Sequence, residues 1–458
     1  MNVLLSGATV VASLHPPTLV SGDVLVSGGR VAAIGTGLDE AHSAQRIECR
    51  GCLVVPGNVC AHTHAYSALA RGMPYNLPPP TSFLEILQRV WWRLDRALDL
   101  PAIRASGLVA AREALLAGTT TLVDHHASPN AIDGSLDVLA AAFGEVGIRS
   151  VLCYEVTDRD GPERADAGVE ENRGFLRRVA EGRWPRARGM VGAHASFTLF
   201  DETLAACVAL ADEARAGIHV HLAEDEADEA DAEARFGLRA AHRLSDAGVL
   251  TDASLAAHAV HLTRAEAEVL RESGVTVAHN PRSNMNNAVG RAPLAWLGPR
   301  VALGTDGIGA DMFEESRAAY LRLREDGLDT PAGWPLTALT EGSALAGRLF
   351  DEPALGRIEV GAPADLVVLD YAAPTTLTED SLASHWVFGL SAASVRDVLV
   401  AGELVVHDRK LTRVDSDGLV LEAREESRRL WERLERIGPH PFSPGGTPAI
   451  AGGTSWPT

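Results

Sequence analysis

The feature that most constrains the fold is a run of short apolar strand candidates that alternate with amphipathic helical stretches between about residues 56 and 350. This alternation is typical of a parallel α/β architecture, because parallel strands need long crossover connections. Eight candidates can be counted, at residues 54–62, 119–125, 149–155, 188–195, 217–222, 254–258, 275–280 and 300–304. They predict a (β/α)8 TIM barrel, in which reactive groups gather at the carboxyl ends of the strands.

Both ends of the chain carry a different pattern. Residues 1–55 and 355–420 contain short alternating strands separated by turn sequences such as Ser27-Gly28-Gly29 and Gly402-Glu403. Two strand-rich ends around a different middle predict one small discontinuous β-sandwich domain, with the barrel at residues 56–354 inserted between its halves. For residues 421–458 the sequence predicts a charged surface helix followed by a loosely ordered Pro/Gly-rich tail.

Histidines and acidic residues stand at the ends of four predicted barrel strands. Strand one ends in His62-Thr63-His64, whose imidazoles lie on one side because side chains alternate along a strand. Strand five ends in His221 with Glu224 three residues on, strand six ends in His258, and Asp306 follows strand eight. A His-x-His pair alone also occurs in ordinary cores, but a barrel brings these strand ends to one mouth. Three imidazoles and one carboxylate suit Zn²⁺ or Fe²⁺.

Composition and net charge indicate where the protein works and which partners it can bind. The formal net charge of −20, without a basic stripe, argues against nucleic acid as a partner. No apolar run approaches the roughly 20 residues of a membrane helix, and residues 1–13 resemble a strand more than a signal peptide. The odd number of cysteines predicts five buried thiols without a disulfide framework. We therefore expect a cytoplasmic protein with a small-molecule partner.

These residues, in their sequence context, resemble the amidohydrolase superfamily. The apolar strand into Pro56-Gly57, the histidine pair after it, the 221–224 element, His258, Gly304-Thr305-Asp306 and the segment 356–366 carry a likeness that covers almost the whole chain. Within the superfamily, residues 91–95, 124–129, 282–287 and 306–315 resemble the SsnA-type aminohydrolases. These are near relatives of the chlorohydrolase and the nucleoside and guanine deaminase group.

The resemblance implies one divalent metal ion, zinc before iron, held by His62, His64, His221 and Asp306. Binuclear members of the superfamily bridge two ions through a carboxylated lysine of the barrel. The first lysine of this chain is Lys410, far beyond the predicted barrel, so a mononuclear site is predicted.

The implied reaction is hydrolytic removal of an amino group from a nitrogen heterocycle, by a hydroxide formed at the metal ion. Glu224, His258 and Asp306 are the predicted catalytic residues. Asp306 and His258 would orient and deprotonate the water, and Glu224 would protonate the ring nitrogen beside the attacked carbon.

Four more residues of the barrel rim are predicted to bind the substrate: His194, His125, Trp92 and Asn280. His194 resembles the position at which related deaminases hydrogen-bond their substrate, and His125 and Asn280 end the second and seventh strands. Trp92 lies in the excursion after strand one, where an aromatic ring can stack on a flat heterocycle. His219 lies one layer below His221 and is predicted to pack or to support the ligands.

Several functional alternatives stay open at this point. A hydrolase of the same fold that expels a halide or a sulfur substituent, or one that opens a cyclic amide, would use the same ligands. A barrel without catalysis that acts as a binding protein is the remote alternative. The Pro-Cys-x-x-Cys element of the cytidine-deaminase fold and the His-Glu-x-x-His helix of zincins are absent from the sequence. A homo-oligomer, specifically a dimer, is also predicted.

Overall fold

The computed structural model describes residues 2–38, 44–325, 327 and 331–445, and within them the chain forms eighteen strands and fifteen α-helices. The strands are β1 (Val3–Leu14), β2 (Pro17–Ser27), β3 (Arg30–Gly35), β4 (Gln45–Glu48), β5 (Cys52–Pro56), β6 (Asn58–Thr63), β7 (Thr119–His126), β8 (Arg149–Val156), β9 (Ala187–Gly189), β10 (Val191–Ala195), β11 (Ile218–Leu222), β12 (Leu255–His258), β13 (Thr276–His279), β14 (Val301–Leu303), β15 (Leu366–Asp370), β16 (Val395–Val400), β17 (Glu403–His407) and β18 (Lys410–Leu411). The helices are α1 (Phe83–Ile86), α2 (Trp92–Ala97), α3 (Leu100–Leu116), α4 (Ser135–Val146), α5 (Pro162–Ala180), α6 (Asp201–Ala214), α7 (Glu226–Phe236), α8 (Ala240–Asp246), α9 (Arg264–Ser273), α10 (Pro281–Asn286), α11 (Leu294–Leu297), α12 (Met312–Arg324), α13 (Trp334–Phe350), α14 (Leu382–Phe388) and α15 (Ser416–Leu434).

The middle of the chain forms a parallel barrel. Its strands follow the order β6-β7-β8-β10-β11-β12-β13-β14, with the short β9 beside β8. Every residue of β7 and β8 is buried, because helices cover one face of the sheet and the barrel interior covers the other. The last strand returns to the first, where the backbone N–H groups of Thr305 and Asp306 donate to the His62 carbonyl at 2.8 and 3.0 Å. The predicted barrel is therefore confirmed.

The two ends of the chain together form a second sheet. Its strands follow the order β18-β17-β16-β15-β5-β1-β2-β3, with β4 paired to β1, so strands from both ends lie side by side. Strand β15 pairs with β5, and Leu366 lies opposite Pro56. A buried ion pair at 2.9 Å joins the domains, from Arg149 at the start of β8 to Asp365 just before β15. The predicted discontinuous sheet domain is confirmed.

The sequence pattern predicts single strands at residues 47–55, 54–62 and 357–360, and the structure differs from the prediction at all three. Residues 47–55 form two strands, β4 and β5, because the chain turns at Gly51 with a φ of +78°. The predicted barrel strand 54–62 is likewise divided at Gly57, where a Cβ atom would lie 2.3 Å from the Thr120 hydroxyl. Residues 357–360 are loop and turn, and the first sheet strand of this region begins only at Leu366.

All five cysteines are free and buried, as expected. Cys49 and Cys52 have the Cys-x-x-Cys spacing of some redox and metal sites. Burial, however, raises the pKa of the Cys49 thiol to about 11, so it stays protonated at neutral pH. Among the described helices, none is both long and apolar enough to cross a lipid bilayer.

The segment after α15 is more ordered than the sequence predicts. Residues 438–445, expected to be loosely ordered, run along the barrel mouth, where the His440 N–H donates to the Gln88 carbonyl at 2.8 Å. The Gln88 amide in turn donates to the Phe442 carbonyl at 2.7 Å, and His440 is only 4% exposed. The predicted tail from residue 446 onward lies outside the described residues.

Candidate active site

The barrel brings the predicted ligands to one mouth. His62 and His64 come from β6 and its end, His221 from β11, and Asp306 from the turn after β14. An isolated β-bridge between Thr63 and Asp306 places Asp306 beside β6, the first strand of the barrel. Asp306 has a φ of +53°, a left-handed conformation that non-glycine residues adopt rarely and mostly at functional positions.

The ligand atoms of this group are spaced for one metal ion. His64 Nε2 lies 3.2 Å from His221 Nε2 and 3.2 Å from Asp306 Oδ1, and His62 Nε2 lies 3.9 Å from the same oxygen. Four donors at about 2.0–2.1 Å from a tetrahedral Zn²⁺ lie roughly 3.3 Å apart. His62 Nε2 is buried and has no hydrogen-bond partner in the structure. These donors therefore fit a single divalent cation.

The second ring nitrogen of each imidazole, Nδ1, makes a polar contact on the side of the ring away from the centre. His64 Nδ1 donates to the His125 carbonyl at 2.6 Å, and His221 Nδ1 donates to the His194 carbonyl at 2.9 Å. His62 Nδ1 lies 2.8 Å from Nε2 of His219, the residue predicted to support the ligands. Such contacts fix ring orientation and leave the Nε2 lone pairs of His64 and His221 pointing at the centre. Burial holds the pKa values of His62 and His221 well below 6.5, so both rings are neutral and could act as ligands.

The carboxylate of Asp306 is held in its ionised form. Ser283 Oγ donates to Oδ2 at 2.5 Å, and the Gly307 N–H donates to Oδ1 at 2.8 Å. Burial opposes ionisation, but His64, His258 and these hydrogen bonds together hold the pKa of Asp306 below its usual value. The aspartate is therefore anionic at neutral pH, as a metal ligand would need to be.

Glu224 and His258 form a second pair beside the ligands. Glu224 Oε2 lies 3.5 Å from His258 Nε2, which lies 3.9 Å from Asp306 Oδ2. Asn284 Oδ1 lies 2.9 Å from His258 Nδ1, and the Asn287 amide donates to Glu224 at 3.3 Å. Burial raises the pKa of Glu224 to about 7, so this carboxyl can hold or release a proton near neutral pH. The pair is placed for proton transfer at the centre.

A cavity that opens to solvent lies over this centre. Its apolar wall comes from the excursion after β6 and from the loop after β10: Phe83, Leu84, Leu87, Trp91, Trp92, Ala195 and Phe197. Two predicted substrate-binding residues, His194 and Trp92, line it, with their ring centroids 6.1 Å apart. The aromatic wall suits stacking on a flat heterocycle.

The other two predicted substrate-binding residues do not reach the cavity wall. His125 is fully buried, and its ring nitrogens lie 3.1 Å from Glu155 Oε2 and 3.1 Å from the His219 carbonyl oxygen. Asn280 is also fully buried, and its amide donates to the Ala278 carbonyl at 3.2 Å. Both side chains lie below the rim, so the prediction of direct substrate contact has no support from this geometry.

Sequence reasoning missed a carboxylate of the cavity wall and the polar residues that hold the catalytic pair. Glu155 lies on β8, 3.7 Å from His194 Nε2, and lines the cavity. The rule that picked out the other strand ends applies to Glu155 too, because it stands next to last in β8. Ser283, Asn284 and Asn287 belong to a segment noted only for its family likeness, and nothing in its pattern marks their contacts.

Comparison with known proteins places this geometry in a family. The model of the Amidohydrolase family matches residues 53–405. The chain is 33% identical to a 5'-deoxyadenosine deaminase of Methanopyrus kandleri, over 80% of this chain and 84% of that protein. It is 34% identical to a 5-methylthioadenosine/S-adenosylhomocysteine deaminase of Nitratidesulfovibrio vulgaris (strain DSM 19637 / Miyazaki F), over 95% of this chain and 99% of that protein.

A solved structure agrees with this family assignment. An adenosine deaminase from Xanthomonas campestris with bound zinc is 27% identical and superposes with a TM-score of 0.80, over 93% of this chain and 98% of that one. The family is metal-dependent, and the buried cage of histidines and aspartate supplies the residues for such an ion. This chain belongs to the amidohydrolase family.

Proposed function

We propose that this chain is a zinc-dependent deaminase that hydrolyses the exocyclic amino group of an adenosine-type nucleoside. The observation that carries the proposal is the Glu224–His258 pair, 3.5 Å apart, directly beside a cage of imidazoles and one carboxylate. The named relatives act on 5'-deoxyadenosine and on methylthioadenosine and S-adenosylhomocysteine, which share an aminopurine ring. The aromatic cavity wall is suited to stacking on such a ring.

His62, His64, His221 and Asp306 would hold the zinc ion, since their donor atoms lie 3.2–3.9 Å from neighbouring donor atoms around one point. A zinc ion bound there supplies Lewis-acid activation, which lowers the pKa of a coordinated water from about 16 to near 7. The chain contributes the orientation of each ring through its Nδ1 contact, and a burial that excludes competing water.

Glu224 serves as the proton donor in this proposal. With a pKa of about 7, it is partly protonated at neutral pH and can protonate the ring nitrogen next to the attacked carbon. Protonation makes that carbon more electrophilic. The Asn287 amide, which donates to Glu224 at 3.3 Å, keeps the carboxyl turned toward the cavity.

His258 serves as the base in this proposal. Asn284 orients its ring, and its Nε2 atom is buried without a hydrogen-bond partner in the structure, facing both Glu224 and Asp306. A nitrogen in this position can take a proton from the nucleophilic water and pass it to the departing amino group, which must leave as ammonia. Positioned proton transfer of this kind contributes about 10²- to 10⁴-fold in rate.

The test measures ammonia release and metal content together. The zinc-loaded protein is incubated with adenosine, 5′-deoxyadenosine and methylthioadenosine, and ammonia is quantified with a coupled dehydrogenase. We expect ammonia in amounts equal to the nucleoside consumed, one zinc per chain, and loss of activity after chelation that zinc restores. The Glu224→Gln variant is the control, since it should keep its zinc and lose turnover.

Two results would overturn the proposal. If no nucleoside releases ammonia while a halogenated or thio-substituted heterocycle, or a cyclic amide, is hydrolysed, the leaving group has been misassigned. If the purified chain binds no stoichiometric divalent metal, the remote alternative of a binding protein gains support instead.

We also propose that the enzyme is a homodimer that works in the cytoplasm on a small molecule and not on nucleic acid. Five free, buried cysteines and a formal net charge of −20 support this setting. Light scattering after gel filtration tests the dimer, and a single-chain mass near 48.4 kDa would contradict it.

A further inference from the structure

The charged groups in the cavity wall all have the same sign. The wall contains five acidic side chains, and burial raises the pKa values of two of them, Glu224 and Asp228, to about 7; the other three are Glu155, Asp225 and Asp306. Among the residues that the structure describes, no arginine or lysine lines this cavity. The residues outside the described ranges contain no arginine or lysine either, so these segments of the chain cannot add a cationic side chain to the wall.

Arg159, which pairs with Glu155 of the wall, is buried in ion pairs and does not line the cavity. Arg159 is 1% exposed, and its guanidinium contacts Asp95 at 2.5 Å, Glu155 at 2.8 Å and Asp160 at 3.4 Å. The Trp92 ring covers it, with 5.2 Å from the guanidinium carbon to the ring centroid. Burial opposes ionisation of Glu155, but His194 and Arg159 hold its pKa well below its usual range. Glu155 therefore presents a permanent negative charge, while Arg159 is out of reach.

Three backbone N–H groups beside the wall, one of them at the start of a helix, already donate to carboxyl groups of the protein. Helix α7 begins beside the cavity, and the carboxylate of Asp225 accepts its Ala227 N–H at 3.0 Å. Asp228 accepts the N–H groups of Phe197 at 3.1 Å and Ala223 at 2.9 Å. These backbone donors, which could otherwise stabilise a phosphate or a carboxylate, are therefore satisfied by the protein's own acids.

The rest of the wall offers little to an anion. Phe83, Leu84, Leu87 and Phe197 carry no polar side-chain atoms, so an anion there would lose its hydration without compensation. A divalent cation in the cage would be offset by Asp306 and by a coordinated hydroxide, which leaves the ionised Glu155 to set the sign of the field along the wall.

We propose that this cavity selects uncharged or cationic heterocycles and rejects substrates that carry a phosphate or a carboxylate, so that neutral nucleosides are substrates and nucleotides are not. This inference rests on the proposed deaminase function and narrows it. Of the compounds in the relatives' names, methylthioadenosine has no charged group, whereas S-adenosylhomocysteine carries both a carboxylate and an ammonium group.

The test uses three adenosine derivatives that differ only at the 5′ position. They are 5′-deoxyadenosine (neutral), 5′-amino-5′-deoxyadenosine (cationic) and adenosine 5′-monophosphate (anionic). We expect kcat/KM for the monophosphate to be at least about 100-fold below that of the other two, because like charges face each other in a desolvated site. Raising the ionic strength should narrow the gap, because salt screens the repulsion.

A variant that adds a positive charge to the cavity wall separates the effect of charge from the effect of substrate shape. Leu84 lies in the apolar wall and is partly exposed, so Leu84→Arg would place a cation in the cavity with room to adjust. We expect it to raise the ratio of kcat/KM for monophosphate over 5′-deoxyadenosine by about tenfold, the effect of roughly 1.4 kcal/mol. Leu84→Met is the matched control and should leave this ratio as in the parent.

The outcomes separate this inference from the proposed function. If monophosphate and 5′-deoxyadenosine are deaminated equally well, charge selection is refuted and the deaminase assignment survives. If none of the three is deaminated, the proposed function fails, and calorimetric binding of the same compounds to the zinc-loaded protein decides the charge question. Monophosphate binding as tight as that of 5′-deoxyadenosine, or no binding of any of the three, would then overturn the inference.

Discussion

Replacing His219 by alanine should weaken metal binding although His219 is not a predicted ligand. Its Nε2 atom lies 2.8 Å from His62 Nδ1, and both side chains are fully buried. A metal ion on Nε2 of His62 forces the proton onto Nδ1, and without His219 that N–H has no acceptor. The metal-free ring is under no such constraint, because its proton can sit on Nε2 instead.

The size of the effect follows from that lost contact. Leaving one buried donor without a partner costs about 1–3 kcal/mol. Because this cost falls on the metal-loaded state, the affinity for zinc should drop by about 5- to 150-fold, at roughly 1.4 kcal/mol per tenfold. Residues that support metal ligands typically contribute about 10- to 100-fold, which agrees.

The assay is competition between the metal-free protein and a zinc-binding dye at fixed pH. His219→Gln should recover most of the affinity, because its amide oxygen can accept the same N–H. His126→Ala is the matched control: His126 is equally buried, but its Nε2 atom lies 2.9 Å from the Ser128 hydroxyl, and its loss should leave zinc affinity unchanged. The reasoning is refuted if His219→Ala binds zinc as tightly as the parent, or if the glutamine variant is as weak as the alanine one.

Further predictions concern catalysis, stability and the cavity wall. Glu224→Gln should lower kcat by about 10²- to 10⁴-fold with unchanged zinc content by metal analysis. Arg159→Met leaves three buried carboxylates without their cation and should reduce the free energy of unfolding in urea by about 3–5 kcal/mol. Burial raises the pKa of Glu229 to about 8 from about 4.3 in the unfolded chain, so its stabilising contribution is present below that lower value and is lost as pH rises through 8. Glu229→Gln should accordingly lose less stability than the parent between pH 5 and 8. Phe442→Ala removes a ring 5.8 Å from Trp92 and should raise KM more than it lowers kcat, whereas the exposed Phe388→Ala should change neither.

The positions of the predicted ligands follow from topology, which is why the sequence could predict their meeting. Side chains alternate along β6, so His62 and His64 necessarily share a face. A closed barrel then brings the end of β11 and the turn after β14 to the same mouth as β6. None of this depends on details of packing, and the structure brings these residues within 4 Å of a neighbouring ligand atom.

Depth along the barrel axis and loop paths could not be predicted in the same way. His125 ends a strand like the other candidates, yet its ring turns to Glu155 below the rim, because alternation gives a face and not a layer. Asn284 and Asn287 reach His258 and Glu224 only because α10 folds back over the mouth after β13. The left-handed φ of +74° at His258 is likewise set by the surrounding loops and not by local preference.

One charge pattern underlies both the metal site and the proposed substrate preference. Burial keeps His62 and His221 neutral, so the cage presents lone pairs and one carboxylate, which favour a cation. Glu155 adds a negative charge to the cavity wall, and its partner Arg159 is covered by the Trp92 ring. A guanidinium facing the cavity would help bind anionic substrates but would also repel the metal ion. The placement of Arg159 behind the wall therefore serves both properties: it keeps Glu155 ionised while keeping positive charge out of the cavity.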